Sequence, residues 1–293
     1  MATKKGTPTI RLRRLAGQLR RLRDGTGLRR EDVEERTGIN ATTLYRIETA
    51  RNRPQYRTLA ALMKLYGVPS DEQERLKALY KQSAGEGWMQ PWHEDLPEGY
   101  TAYINFEKEA YGLRHYSGLF VPGLLQTEDY ARAVIRGVLH DETDDQVEDF
   151  VRTRMERQAV LTKKKPLKLW AVIEEASLHR QVGGADVMRS QLRHLLDAAK
   201  APNITIQVIP FSSGAHPGMP GQFVVMDFPD PLDTDLIYVD SQAGEIFLES
   251  DADIKRFRAA FDHLVAVAKS PDDSAALIAG IAAGPEKGRF GRL

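Results

Sequence analysis

Thr42, Tyr45, Arg46 and Thr49 recur at the i, i+3, i+4, i+7 spacing that places side chains on one face of a helix. An arginine fork can grip a guanine edge. Threonines can bond base edges or meet a thymine methyl, and a tyrosine carries a hydroxyl on a flat apolar ring. Together they form a surface suited to reading DNA. Asn40, Ala41 and Thr43 belong to the same stretch, and Arg29 and Arg30 precede it within reach of phosphates. Arg51 and Arg53 follow it as phosphate contacts or as ordinary solvated loop charges. Glu48 would be repelled by phosphate and is read as the holder of an arginine.

Other chemistry is thinly represented. Glu174 and Glu175 are a candidate acid/base pair, but consecutive strand residues point to opposite faces and do not serve one pocket. The seven histidines lack the His-x-x-x-His and Glu-x-x-His spacings that align two ligands on a helix, and there is no cysteine to supply a thiolate. His115, His179 and His194 read as surface or half-buried residues. The segment 212–221, rich in Gly and Pro, reads as a long hairpin connection in preference to a lid, and it has no phosphate-loop Lys-Ser/Thr. No catalytic residue, cofactor or metal is assigned.

The formal net charge of +0 conceals a split. Residues 1–84 hold 19 Lys and Arg against 9 Asp and Glu, a net of +10, and the remainder carries −10. A basic module preceding an acidic one fits a division in which one part neutralises phosphates. The longest run of small apolar residues, 275–284, is about half of what crosses a bilayer, and the N-terminus has no apolar leader. These features make a cytoplasmic protein the expectation.

Five short helices account for residues 15–80, because apolar residues recur there at three and four. Leu15, Leu19 and Leu22 stripe the first helix amid Arg13, Arg14, Arg20, Arg21 and Arg23. The second helix covers 30–37, with Glu31 and Asp32 in its first turn and Gly38 as a left-handed stop. Asn40 caps the third, and Ile39 can staple onto Leu44. A fourth covers 56–66, and Pro69-Ser70 opens the fifth. Residues 85–99, with Trp88 and Trp92, read as a linker whose tryptophans dock on one domain.

Beyond it, the periodicity predicts helices at 100–109, 128–138 (capped by Thr127), 144–161, 175–181, 187–199 and 252–268. Strands are predicted at 111–116, 167–173 and 204–209, with a meander of 223–228, 236–239 and 245–248. Lys163 to Lys165 is a solvated turn. Phe257, Phe261, Leu264 and Val265 form the inner stripe of the last of these helices. The expected fold is an α-helical DNA-binding domain (10–84) and, after the linker, an α+β domain (100–270) with a largely antiparallel sheet. A tail (271–293) follows, with a short apolar helix candidate around Leu277, Ile278 and Ile281, and three readings of it stay open: disorder, packing at a dimer seam, or docking of a partner.

The run Gly27-Leu28-Arg29-Arg30-Glu31-Asp32-Val33-Glu34-Glu35-Arg36-Thr37-Gly38-Ile39, then Thr43-Leu44-Tyr45-Arg46-Ile47-Glu48 and Arg53-Pro54, resembles a lambda-repressor-like helix-turn-helix of the XRE family. The resemblance implies that the third helix lies in the major groove while the second crosses the backbone. Arg29 and Arg30 stand where the family often has Ser and Gln, which implies a stronger salt dependence. In the second half, Val121-Pro122-Gly123-Leu124-Leu125-Gln126-Thr127, Tyr130-Ala131-Arg132-Ala133, Arg154-Met155-Glu156-Arg157-Gln158, Glu174-Glu175-Ala176-Ser177-Leu178, Val182-Gly183-Gly184, Gln191-Leu192 and Val208-Ile209-Pro210 resemble WhiJ-like actinobacterial regulators. That resemblance implies a non-enzymatic, antitoxin-like transcriptional regulator, often encoded beside a small partner protein.

One recognition helix reads only a few base pairs, whereas two related by a twofold axis read half-sites about 34 Å apart. The expectation is therefore a homodimeric repressor on a double-stranded DNA operator, modulated by a small protein from an adjacent gene, with no membrane partner. The alternative is a one-component regulator whose second domain binds a small ligand.

Overall fold

The computed structural model describes residues 10–83, 98–139, 141–229, 235–241 and 244–284. The chain divides into two compact units, residues 1–106 and 107–293. The linker reading with Trp88 and Trp92 lies outside the described residues.

In the first unit, α1 (Ile10–Gly25), α2 (Arg30–Thr37), α3 (Ala41–Glu48), α4 (Tyr56–Leu65) and α5 (Ser70–Gln82) enclose one core. Leu15, Leu19, Val33, Leu44, Leu59, Leu62 and Leu76 are fully buried in it, each contributing roughly 1.5–3 kcal/mol. Helix α2 stops where Gly38 takes φ 71°, its N–H donating to the Glu34 carbonyl at 2.8 Å. That left-handed conformation suits glycine. Asn40 then caps α3 by accepting the Thr42 N–H at 3.0 Å, and Ile39 packs against the core that holds Leu44.

The second unit is α+β. Helix α6 (Glu98–Glu109), which spans the division, leads into β1 (Gly112–Ser117), α7 (Glu128–Val138) and α8 (Asp144–Arg157). Then come β2 (Lys168–Glu174), α9 (Glu175–His179), α10 (Ala185–Ala198) and β3 (Ile204–Ile209). The meander β4 (Phe223–Asp227), β5 (Leu236–Ser241) and β6 (Gly244–Leu248) is followed by α11 (Asp251–Val267) and α12 (Pro271–Ala283). The sheet order is β3-β2-β1-β4-β5-β6. Three of the five pairings are antiparallel; β1 with β2 and β2 with β3 are parallel. Each parallel step needs a long crossover, and the helices between those strands supply it.

Three expectations change in detail. The helix expected over 144–161 ends at Arg157 and tightens into a 3-10 turn, Gln158–Leu161. Segment 212–221 is not a hairpin, because β3 and β4 are separated in the sheet by β2 and β1. The part of the tail from Pro271 is α12, which packs on α10 and β3, and its buried Ser274 Oγ accepts the Val208 N–H at 2.9 Å. Phe261 and Leu264 of α11 are fully buried against Tyr116, Val172, Phe223, Val225 and Ile237. Phe257 and Val265 pack there while partly exposed.

Candidate nucleic-acid interface

The turn between α2 and α3 is built around one carboxylate. Glu34 accepts from Asn40 Nδ2 and from the Ala41 N–H, both at 2.9 Å. An anion at a helix start is favoured by the helix dipole, so Glu34 fixes α3 against α2 from its N-terminal end. Leu44 and Ile47 turn into the core, which leaves Thr42, Thr43, Tyr45, Arg46 and Thr49 on the solvent side.

A second carboxylate fixes the other end. Glu48 is buried, and its side chain accepts from Arg23 Nε at 2.6 Å, Arg23 Nη2 at 3.2 Å and Arg30 Nε at 2.7 Å. Arg23 also donates to the Leu28 carbonyl at 2.8 Å. Charge-assisted bonds of this kind are the strong ones, and here they tie α1, α2 and α3 into one block. The bond to Glu48, opposed by burial, holds the Arg23 guanidinium above its usual range. The nearby Tyr66 hydroxyl is buried, with no hydrogen-bond partner among the described residues, and burial pushes its pKa up.

The expected interface residues fall into two groups. The Arg46 and Arg51 guanidiniums and the Thr42 and Thr43 hydroxyls are exposed and make no hydrogen bond among the described residues. Arg29 is exposed and lies 3.6 Å from Asp32. Tyr45 is 40% exposed, with the Arg30 and Arg51 guanidiniums 5.3 and 5.6 Å from its ring centre. The others are engaged within the fold. Arg30 is held by Glu48, Asn40 is the cap, Ala41 is half-buried, and the Thr49 hydroxyl donates to the Tyr45 carbonyl at 2.8 Å. Arg53 lies over the Tyr80 ring at 3.9 Å and donates to the Tyr80 carbonyl at 2.7 Å and to Ser83 Oγ at 3.1 Å. Sequence reasoning anticipated an arginine on Glu48 but missed Arg23 as the deeper partner, and it missed Glu34 altogether. The six- and seven-residue separation of Glu34 from Asn40 and Ala41, across a helix stop, was the available signal.

In the second unit the motif residues stitch the fold. Gln191 is buried, accepting the Thr127 N–H at 2.8 Å and donating to the Leu125 carbonyl at 2.7 Å. Gln126 donates to the Val121 carbonyl and accepts from Arg154, and Gln158 donates to the Gln126 carbonyl. Arg157 pairs with buried Glu107 through two bonds, 2.9 and 2.7 Å. Glu174 and Glu175 diverge. Glu174 accepts from the Tyr116 hydroxyl at 3.0 Å and lies 2.9 Å from His216 Nε2, while Glu175 accepts the Phe211 N–H at 2.8 Å. Among the described residues no group of histidines and carboxylates is arranged to hold a metal, and no helix is long and apolar enough to cross a membrane.

Two family descriptions match the chain. Residues 14–76 match the family described as Helix-turn-helix domain. Residues 100–280 match Domain of unknown function (DUF5753), and the chain belongs to that family. Fold and match together define an XRE-like helix-turn-helix regulator, a DNA-binding class of protein. No curated protein and no solved structure matches the chain.

Proposed function

We propose that the protein is a sequence-specific transcriptional regulator that binds its operator as a homodimeric repressor, with α3 in the major groove. The observation that carries this reading is the division of labour on α3. Its inner side and both ends are locked by Leu44, Ile47, Glu34 and Glu48, while Thr42, Thr43 and Arg46 stand free on the outer side beside Tyr45, whose ring lies by Arg30 and Arg51. A rigid helix presenting unspent donors is what direct readout requires. Arg29 and Arg51 flank it as phosphate contacts and supply salt-dependent affinity. Arg30 and Arg53 act by positioning. The acidic second domain serves dimerisation and receives a small protein encoded nearby, as the antitoxin-like resemblance implies.

A second reading, in which the second domain binds a small molecule, is favoured by a cavity of about 280 Å³ lined by Arg114, Lys168 and Trp170 where β1 and β2 begin.

The test is a mobility-shift titration on the DNA upstream of the protein's own gene, against random DNA, at two salt concentrations and with or without the adjacent small gene product. Arg46→Ala should weaken specific binding by roughly 1–3 kcal/mol and leave random binding nearly unchanged. Equal loss on both DNAs would overturn the assignment of α3. Selective binding indifferent to the small protein would replace the partner with the ligand.

A further inference from the structure

Where β1, β2 and β3 begin, the sheet face packed by α11 runs out of cover among the described residues. The registers pair Gly112 with Lys168, Arg114 with Trp170, and Trp170 with Thr205, which sets these residues on one face. Two residues further along, Tyr116 and Val172 of that face, with Phe223 opposite Tyr116, lie under Phe261 and Leu264. Trp170 marks the border. Its ring meets Phe261 edge-on with centres 5.8 Å apart, and its Nε1 donates to Gln207 at 2.8 Å, yet 37% of the residue is exposed. Beside it lies a cavity of about 280 Å³.

The charges of the described residues around this cavity do not cancel. Asp227 accepts from Arg258, which also bonds Asp235. Arg114 is left with a single approach, Nε at 3.7 Å from Asp227, and makes no hydrogen bond among the described residues although its side chain is only 27% exposed. The Lys168 ammonium lies 4.7 Å from the Tyr111 ring centre and bonds that residue's hydroxyl. Among the described residues, Arg114, Lys168 and Arg258 against Asp227 and Asp235 leave one positive charge in excess. Gly112 forms part of the lining, where a Cβ would come within 3.2 Å of Asp227 Oδ2.

We propose that this cavity is a binding site for a small planar aromatic monocarboxylate, its ring against Trp170 and its carboxylate on Arg114 and Lys168. The volume, just below the usual range for ligand pockets, suits a single ring. One carboxylate cancels the excess charge, and Arg114 offers it the planar fork that such groups prefer. A phosphate would satisfy the cations but leave the exposed indole bare, and a neutral ring would cover the indole but leave the charge. The site requires nothing of α3, so it stands or falls separately from the proposed DNA reading.

The chain has three tryptophans, so the full chain carrying Trp88→Phe and Trp92→Phe keeps Trp170 as its sole indole. Its emission is titrated with benzoate, benzamide and acetate. A saturable change is expected with benzoate, with affinity at least roughly tenfold weaker for benzamide and for acetate. Arg114→Gln should weaken benzoate binding by a similar factor. Lys168→Met, at an exposed position, provides the same comparison should Arg114→Gln fail to fold. A benzoate titration that does not saturate, a benzamide titration that matches it, or a folded variant that binds like the parent would overturn the proposal.

Discussion

Replacing Glu48 with glutamine tests the block that carries α3. The carboxylate is fully buried and accepts three hydrogen bonds, at 2.6, 3.2 and 2.7 Å, from two arginines. Arg23 is itself only 9% exposed along its side chain, so the substitution leaves a poorly hydrated cation whose remaining ionic partner is Asp24, 2.9 Å from its Nη1. Breaking a buried pair in this way costs about 3–5 kcal/mol. Glutamine keeps one acceptor oxygen, which returns about 1 kcal/mol, while its amide turns a donor toward a guanidinium. The expected loss is therefore about 2–4 kcal/mol, a large share of the roughly 5–15 kcal/mol that holds a domain together. Arg30→Met is the control. That side chain is 30% exposed, and the Arg23–Glu48 pair survives its removal, so about 1 kcal/mol or less is expected. Urea unfolding followed by helical circular dichroism reads both variants. A loss under about 1 kcal/mol for Glu48→Gln, or an equal loss for Arg30→Met, would refute the reasoning.

Ser274→Ala leaves the buried Val208 N–H without its acceptor and should cost about 1–3 kcal/mol by thermal unfolding; a change near zero would make α12 peripheral to the fold. Gly218→Ala would put a Cβ 2.4 Å from Cζ of the buried Tyr116 ring, and overpacking there should cost about 1–3 kcal/mol and speed proteolysis in 210–222; unchanged proteolysis and stability would refute it. Burial and, secondarily, the Arg157 guanidinium hold His115 down to about 4, against 6.5 for an unperturbed histidine. The unfolded chain then takes up the proton first as pH falls. Stability contributed by neutral His115 is complete above about 6.5 and is lost toward about 4, by at most roughly 3 kcal/mol. Melting across that window should show a shallower decline for His115→Gln than for the parent; parallel curves would contradict it.

Much of the helical architecture was legible because its signals are short-range. Apolar spacing marked α1 to α5, Gly38 and Asn40 marked the stop and start between α2 and α3, and Thr127 caps α7 by accepting the Tyr130 N–H. Each of these depends on residues within about one turn of one another. The outward face of α3 was legible for the same reason, since a period of 3.6 separates Leu44 and Ile47 from Thr42, Tyr45 and Arg46. The partners of the charges were another matter. Arg53 carried no mark that it would turn to Tyr80 and Ser83, 27 and 30 residues on, nor Arg23 that it would reach Glu48, 25 residues away.

Composition and periodicity determined that a basic helical module precedes an acidic α+β module, and which side of the third helix faces outward. Only the tertiary structure decided which arginines on that module are spent on Glu48 and Tyr80 and which stand free. It also decided that β1, β2 and β3 run parallel, with Arg114, Lys168 and Trp170 gathered at their foot. The physical reason is common to both. Local periodicity reports whether a side chain turns inward or outward, whereas a charge's partner and a strand's neighbour are set by chain segments far apart in sequence, competing for the same buried space.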